Sequence, residues 1–176
     1  MHLPPPARPV PDIASLKETG DTRRLIGLLA HRDPDVRWRA AEALGSLGSA
    51  AVEDLLRDLD TGDGQVRLGI IEALGDIGDA RAVRPLLGIL SREGSIEIRW
   101  AAALALGNMG DTAAIPSLIQ ALGDPDKYVR FGAATALGRL GWQPAGEEER
   151  ALLLMARDDW DSLPALGGEA VHPLLW

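Results

Sequence analysis

The feature that most constrains this chain is a pattern of thirteen residues that occurs four times. Its first occurrence, VRWRAAEALGSLG, runs from Val36 to Gly48, and related segments begin at Val66, Ile98 and Val129. The starts are 30, 32 and 31 residues apart. Repetition at such a period indicates stacked supersecondary units, none of which can bury its apolar face alone. The chain is therefore predicted to form an array of similar units.

Each unit is predicted to be a pair of antiparallel helices, A and B. In the first unit, the Asp33-Pro34 turn opens helix B, and Gly48 supplies the left-handed residue that ends it. Pro85 and Pro116 fall inside A helices, where each predicts a kink. We predict the A helices at 22–31, 50–60, 80–92 and 112–122, and the B helices at 34–47, 64–77, 95–109 and 126–140.

The two ends of the chain depart from the repeat. Residues 1–11 contain five prolines and are predicted to be an extended Pro-rich tail. The repeats and a short preceding helix occupy 12–141. Residues 142–176 are predicted to be an irregular helical segment that contains a helix at 147–157 and ends in a half-repeat. Two hypotheses follow: the chain is a slice of a longer array, or it forms a homodimer through the Val171–Trp176 edge.

Composition argues against several classes of partner. The formal net charge of −8 is unlike the basic surface of a nucleic-acid binder, and it also disfavours docking on anionic lipid. No apolar run reaches the roughly 18 residues that a membrane span needs. The N-terminus lacks the apolar core of a secretory signal, and there is no cysteine. These features predict a cytoplasmic protein that binds neither nucleic acid nor membrane.

No known catalytic or metal-binding motif is present. The histidines His2, His31 and His172 are far apart in sequence, and no phosphate-binding GxxxxGK[ST] loop occurs. The acids near Asp60 lack the ligand spacing of a calcium loop. The sequence therefore predicts no catalytic residues, no cofactor and no metal.

The pattern VRxxAAxALGxxGD resembles the HEAT-like repeats of the phycobilisome-lyase type, and the resemblance covers about residues 21–141. It implies an all-α, right-handed α-solenoid of stacked antiparallel helix pairs. Helix A would lie on the convex face and helix B on the concave face. It also implies that function is mostly protein binding, although a few relatives are enzymes.

A helical wheel separates the core of helix B from its exposed side. In the first repeat, the predicted core residues are Val36, Ala40, Ala43, Leu44 and Leu47. An arginine recurs next to the first of these, as Arg37, Arg67, Arg99 and Arg130. We expect each arginine to pair with an acid of the preceding turn, such as Asp35 or Asp126, and to join neighbouring repeats. The resemblance implies the same structural role.

The opposite side of helix B is predicted to be the binding surface. Its residues vary among repeats while the core side does not, and a line of large apolar side chains bordered by charge is typical of a binding surface. The alternative is that the aromatic residues only pack on one another. The predicted residues are Trp38, Leu68, Trp100 and Phe131, together with Arg39, Glu42, Glu72, Asn108, Thr135 and Arg139.

These observations favour a non-enzymatic scaffold that binds a protein or peptide on its concave face. The first alternative is a bilin lyase-type enzyme or pigment-protein chaperone, because an aromatic groove is suited to a tetrapyrrole. The second alternative is a purely structural slice of a longer repeat array.

Overall fold

A computed structural model describes residues 12–60 and 63–158 of the chain. These residues form ten α-helices and three short 3₁₀ turns, with no β-strand among them. The predicted all-α class is confirmed. The predicted Pro-rich tail, the half-repeat and the Val171–Trp176 edge lie outside the described residues.

The helices alternate in the order that the repeats require. A short α1 precedes the A helices α2, α4, α6 and α8 and the B helices α3, α5, α7 and α9, and α10 follows them. The bounds are α1 Ile13–Glu18, α2 Thr22–Leu28, α3 Pro34–Leu47, α4 Val52–Asp58, α5 Gly64–Ile77, α6 Val83–Arg92, α7 Ile96–Met109, α8 Ile115–Ala121, α9 Lys127–Arg139 and α10 Glu147–Ala156.

The B helices begin where a side chain satisfies free backbone N–H groups. The carboxylate of Asp33 accepts from the N–H of Asp35 at 3.0 Å, and Asp126 accepts from the N–H of Tyr128 at 2.8 Å. Asp63 and Ser95 cap the other two B helices. Because Ser95 and Asp126 are caps, α7 and α9 each begin one residue later than predicted.

The prolines of the A helices do not interrupt them, so the predicted kinks are wrong. The segments before α6 and α8 are 3₁₀ turns, Ala80–Ala82 and Thr112–Ala114. Pro85 and Pro116 consequently lie in the first turn of the α-helix that follows. The N–H groups of a first turn have no acceptor within the helix, so a proline there removes no hydrogen bond.

The helix pairs stack into an α-solenoid with one continuous core. Within each repeat helix A packs on helix B, and successive B helices pack on each other, α3 on α5, α5 on α7 and α7 on α9. Each B helix contributes one fully buried leucine to this core, namely Leu44, Leu74, Leu106 and Leu137. The predicted core residues Val36, Ala40 and Ala43 are buried as well, whereas Leu47 is half-buried.

Glycines let the later B helices approach each other closely. A β-carbon added to Gly75 would lie 2.9 Å from the Cα atom of Ala105, and one added to Gly107 would lie 2.6 Å from the Cα atom of Ala136. Both distances are shorter than van der Waals contact, so the backbones meet there without an intervening side chain. These two contacts hold α5, α7 and α9 close together, so the exposed faces of these helices lie side by side.

Candidate functional site

Large aromatic side chains are exposed on the B helices. We call the solvent-exposed side of α3, α5, α7 and α9 the B face. Trp38 is 57% exposed, Trp100 is 39% exposed and Phe131 is 54% exposed, whereas Leu68 is half-buried and packs on the core. Exposed apolar side chains of this size, fixed on rigid helices, are common where a partner or ligand binds. The B face is therefore the candidate site.

Trp100 lies against a glycine of the following repeat. A β-carbon added to Gly132 of α9 would lie 2.9 Å from Cδ1 of Trp100, so the indole lies directly over that glycine. Trp38 and Gly69 hold the equivalent positions in the first two repeats. Both line a groove of about 190 Å³ between α3 and α5, which we call the Trp38 groove. Trp100 therefore packs on a glycine, an arrangement that was not predicted, and it remains 39% exposed.

Each B helix also carries polar residues on the B face. Glu42 and Glu72 are exposed, and Arg39 is half-buried. Arg139 Nη1 donates to Asn108 Oδ1, so these two predicted site residues join α7 to α9.

Thr135 belongs to the same face, but its hydroxyl is already used within its own helix. Its Oγ1 donates to the Phe131 carbonyl oxygen at 2.9 Å. Such a bond back to the preceding turn is usual for threonine within a helix. Thr135 therefore contributes shape to the B face more than a free hydrogen-bonding group.

Glu72 is the acid on the B face with a perturbed environment. Partial burial raises the pKa of its carboxyl group, and Asp76, one turn further along α5, raises it further by repulsion. Glu72 also lines the Trp38 groove. Its carboxylate is thus a hydrogen-bond acceptor on the exposed edge of the groove that Trp38 also lines.

The four equivalent arginines hold the turn of their own repeat through backbone carbonyls. Nη1 of Arg37 donates to the carbonyl oxygen of His31, Nη1 of Arg99 to that of Glu93, and Nη1 of Arg130 to that of Asp124, each at 2.9 Å. Two of the four also reach the following repeat. Arg99 donates from Nε and Nη2 to the two carboxylate oxygens of Asp124, both at 3.0 Å.

The predicted partners of these arginines are wrong in one respect. Arg67 pairs with Glu93 of the following repeat at 2.5 Å, and not with an acid of its own preceding turn. Asp35 makes no such pair, and Asp126 is occupied in capping α9. The expected link between neighbouring repeats is present at Arg67 and Arg99, but the preceding turn contributes carbonyl oxygens rather than carboxylates.

Sequence reasoning missed several residues that shape the B face. Tyr128 is 61% exposed, with Lys127 Nζ 5.2 Å from its ring centroid, and Ile96 is also exposed. Gly132 forms the surface on which Trp100 lies, and Gly69 lines the Trp38 groove. The sequence did contain a signal for these glycines. Each directly follows the residue equivalent to Trp38 in its own repeat, Leu68 before Gly69 and Phe131 before Gly132.

Two further features concern the described residues alone. Within 12–60 and 63–158, no three His, Asp or Glu side chains cluster closely enough to bind a metal ion. None of the helices in these ranges combines the length and the apolar character that crossing a membrane requires.

Comparison with known proteins identifies the family to which these repeats belong. The family model described as HEAT repeats matches residues 22–93 and 83–165. The chain is 35% identical over 100 residues to the phycocyanobilin lyase subunit beta of Pseudanabaena tenuis, covering 57% of this chain and 36% of that protein.

Two further relatives show the same kind of similarity. The phycocyanobilin lyase subunit alpha of a Picosynechococcus species is 33% identical over 142 residues, which cover 68% of this chain and 53% of the relative. The phycobilisome maturation protein of Synechococcus elongatus is 31% identical over 129 residues, covering 66% and 62%. The chain thus spans from about a third to three fifths of the length of these relatives.

These relatives overturn the leading functional prediction. A non-enzymatic scaffold was expected, but similar proteins carry the name of phycocyanobilin lyase subunits, which matches the first alternative instead. The expectation that the protein is not an enzyme is wrong for the same reason. The repeats contain no local catalytic motif from which a lyase is recognisable. The chain belongs to the HEAT-repeat family, and its repeats resemble those of the phycobilisome lyases.

Proposed function

We propose that this protein is a bilin-lyase-type protein, which binds an open-chain tetrapyrrole and takes part in its attachment to a phycobiliprotein. The observation that carries the proposal is the similarity of its repeats to several phycocyanobilin lyase subunits. Because the chain spans only part of those proteins, the activity, the substrate and the partners are all part of the proposal.

The B face supports this proposal through its chemistry. Trp38, Trp100 and Phe131 offer flat apolar surfaces, and the conjugated rings of a tetrapyrrole are suited to stacking on them. Neighbouring packed helices lie about 8–10 Å apart, so Trp100 and Phe131, on the successive helices α7 and α9, are within reach of one ligand. Trp38 lies on α3, and Leu68 of α5 lies between it and Trp100. The ligand would lie across the B helices rather than along one of them.

The charged residues of the B face suit the polar groups of the same ligand. A tetrapyrrole combines N–H donors with propionate carboxylates. Glu42 and Glu72 supply acceptors for the N–H groups. Arg39 and Arg139 supply donors for the propionate carboxylates. We propose that all ten predicted surface residues belong to this ligand and partner surface.

A protein partner is part of the proposed function. Two of the relatives are named as subunits alpha and beta of a phycocyanobilin lyase, so we propose a second lyase subunit and the acceptor phycobiliprotein as partners. A location in the cytoplasm is consistent with this role and remains a prediction.

Reconstitution tests the proposal. The full chain is mixed with phycocyanobilin and apo-phycocyanin, either alone or together with a phycocyanobilin lyase subunit of the alpha or the beta type. Bilin attached to protein is then detected by fluorescence in zinc-treated denaturing gels. We expect attachment above the level of spontaneous addition when the chain is present.

Each result has a defined meaning. A change in the visible spectrum of phycocyanobilin without attachment would favour the chaperone form of the function. If neither attachment nor a spectral change occurs with either type of second subunit, the proposal is contradicted. Ovalbumin, an acidic protein without these repeats, controls for nonspecific pigment binding.

A further inference from the structure

The arginine at the first repeat differs from its equivalents in what it binds. Nη1 of Arg37 donates to the His31 carbonyl at 2.9 Å and to the Arg32 carbonyl at 3.3 Å, as expected for this position. In Arg99 the remaining edge, formed by Nε and Nη2, holds the carboxylate of Asp124. Among the described residues, Arg37 makes no ion pair.

The sequence accounts for this difference. Glu93 and Asp124, which bind the arginines of the preceding repeats, each lie five residues before the first core residue of their own helix B. In the second repeat, the residue five positions before Val66 is Thr61, which has no charge. The Arg37 guanidinium thus lacks the carboxylate that the repeat supplies elsewhere.

Arg37 also borders the Trp38 groove. Gln65 and Glu72 of α5 line the same groove, so it combines one cation, one carboxylate, one amide and one indole. Leu29 closes the floor, because its Cδ2 occupies the space beside Gly69, 2.7 Å from where a β-carbon would be. The groove therefore presents a flat apolar wall and floor with hydrogen-bonding groups of both kinds at its edge.

Arg130, the other arginine without a carboxylate from a following repeat, has a different environment. Its Nε is buried and has no hydrogen-bond partner. Because that atom is covered, it is not open to a soluble ligand. Arg67 also lines a groove, but its guanidinium is already paired with Glu93 there. Of the two arginines without such a carboxylate, Arg37 is the one that borders a groove.

We propose that the Trp38 groove binds one propionate-bearing ring of an open-chain tetrapyrrole, with the propionate carboxylate on the free edge of Arg37. The ring stacks on Trp38, and Glu72 accepts a pyrrole N–H. Side-on pairing of a guanidinium with a carboxylate gives two parallel hydrogen bonds and a fixed orientation. The inference rests on the proposed function and names the subsite that would orient the pigment.

The size of the groove limits how much of the ligand it holds. Sites that enclose a whole small molecule usually measure about 300–1,000 Å³. The groove measures about 190 Å³, so it accommodates one ring with its side chain. The rest of the tetrapyrrole would extend across α5 toward Trp100.

The test removes the carboxylates from the ligand rather than from the protein. Biliverdin and its dimethyl ester are titrated against the full chain, with tryptophan fluorescence and visible absorbance as readouts. We expect the ester to bind about tenfold more weakly than the acid, the usual effect of losing a charge-assisted pair. Arg37→Gln should weaken acid binding by a similar factor and abolish the difference between the two ligands.

Arg57→Gln, which removes an equal charge from the exposed side of α4, is the control and should retain the preference for the acid. Arg37→Lys keeps the charge without the paired donors and should give intermediate affinity. Equal binding of acid and ester by the unmodified chain, or a preference that persists in Arg37→Gln, would overturn the subsite and leave the proposed function standing. If neither ligand binds, both proposals fail.

Discussion

Gly107 of α7 lies against Ala136 of α9 so closely that a β-carbon on the glycine would be 2.6 Å from the alanine Cα. At this point of contact, only backbone and one methyl group fit between the two helices. The equivalent contact of Gly75 with Ala105 joins α5 to α7. The spacing of the B face is therefore set by residues that carry almost no side chain.

Replacing Gly107 by alanine should destabilise the protein by about 1–3 kcal/mol, because the added methyl group must displace the α9 backbone. Urea unfolding followed by circular dichroism measures the change. Gly27→Ala is the control, since that glycine lies within α2 with no atom near the new methyl group. There the substitution should stabilise by about 0.5–1 kcal/mol. Similar effects at the two sites would contradict the close-contact interpretation.

Asp124→Asn should destabilise the protein by about 2 kcal/mol, between the values typical of exposed and buried ion pairs. The Arg99 and Asp124 side chains are only 13% and 12% exposed, so the arginine would lose its carboxylate with little water to replace it. Glu53→Gln removes an acid from the exposed pair with Arg81 and should cost much less, because water replaces the lost partner. Equal losses in the two variants would show that burial of the pair contributes nothing.

Glu72→Gln should change how stability depends on pH. The pKa of the Glu72 carboxyl group is raised in the folded protein, so the folded state binds this proton more tightly than the unfolded state. Its effect on stability therefore becomes unfavourable as the pH rises above the ordinary value of 4.5. We expect the variant to match the parent in acid and to be the more stable of the two near about pH 7. Unfolding curves across this range decide the matter, and a variant that is less stable at neutral pH would contradict the pKa direction.

Trp38→Ala should weaken binding of biliverdin at least tenfold, since truncation of a desolvated aromatic anchor commonly costs about 2 kcal/mol or more. Tyr128→Ala is the comparison within the B face and should lose less affinity, because that ring is equally exposed but lies outside the Trp38 groove. Isothermal titration measures both affinities, and helix content is checked by circular dichroism. An unchanged affinity in Trp38→Ala, or an equal loss in both variants, would argue against a role for this groove.

The repeat period and the caps were sufficient to predict the fold class. Asp33 and Gly48 flank an apolar pattern that only a helix accommodates, and the residues of that pattern, such as Leu44, are buried. The prolines were misjudged because sequence does not reveal that a 3₁₀ turn precedes Pro85. These features depend on local chemistry, and most of them are visible in a short window of residues.

The candidate site was harder to predict because it depends on relations between repeats. The exposure of Trp38 followed from the helical wheel, but the groove beside it exists only when Gly69 of the next repeat is placed alongside. Likewise, the carboxylate of Arg99 comes from Asp124, a residue 25 positions further along the chain. The lyase relationship is not encoded in any local motif, so reasoning from the residues favoured a scaffold.

The uneven distribution of ion pairs has a consequence for motion. The junction of the second and third repeats is tied by Arg67 and Glu93, and that of the third and fourth by Arg99 and Asp124. Among the residues that the structure describes, no ion pair joins the first repeat to the second. In a solenoid, stability is roughly a sum of such nearest-neighbour terms, so the first junction should open most often. Amide hydrogens of α2 and α3 should then exchange fastest, and a ligand carboxylate on Arg37 would act as the missing tie and slow that exchange.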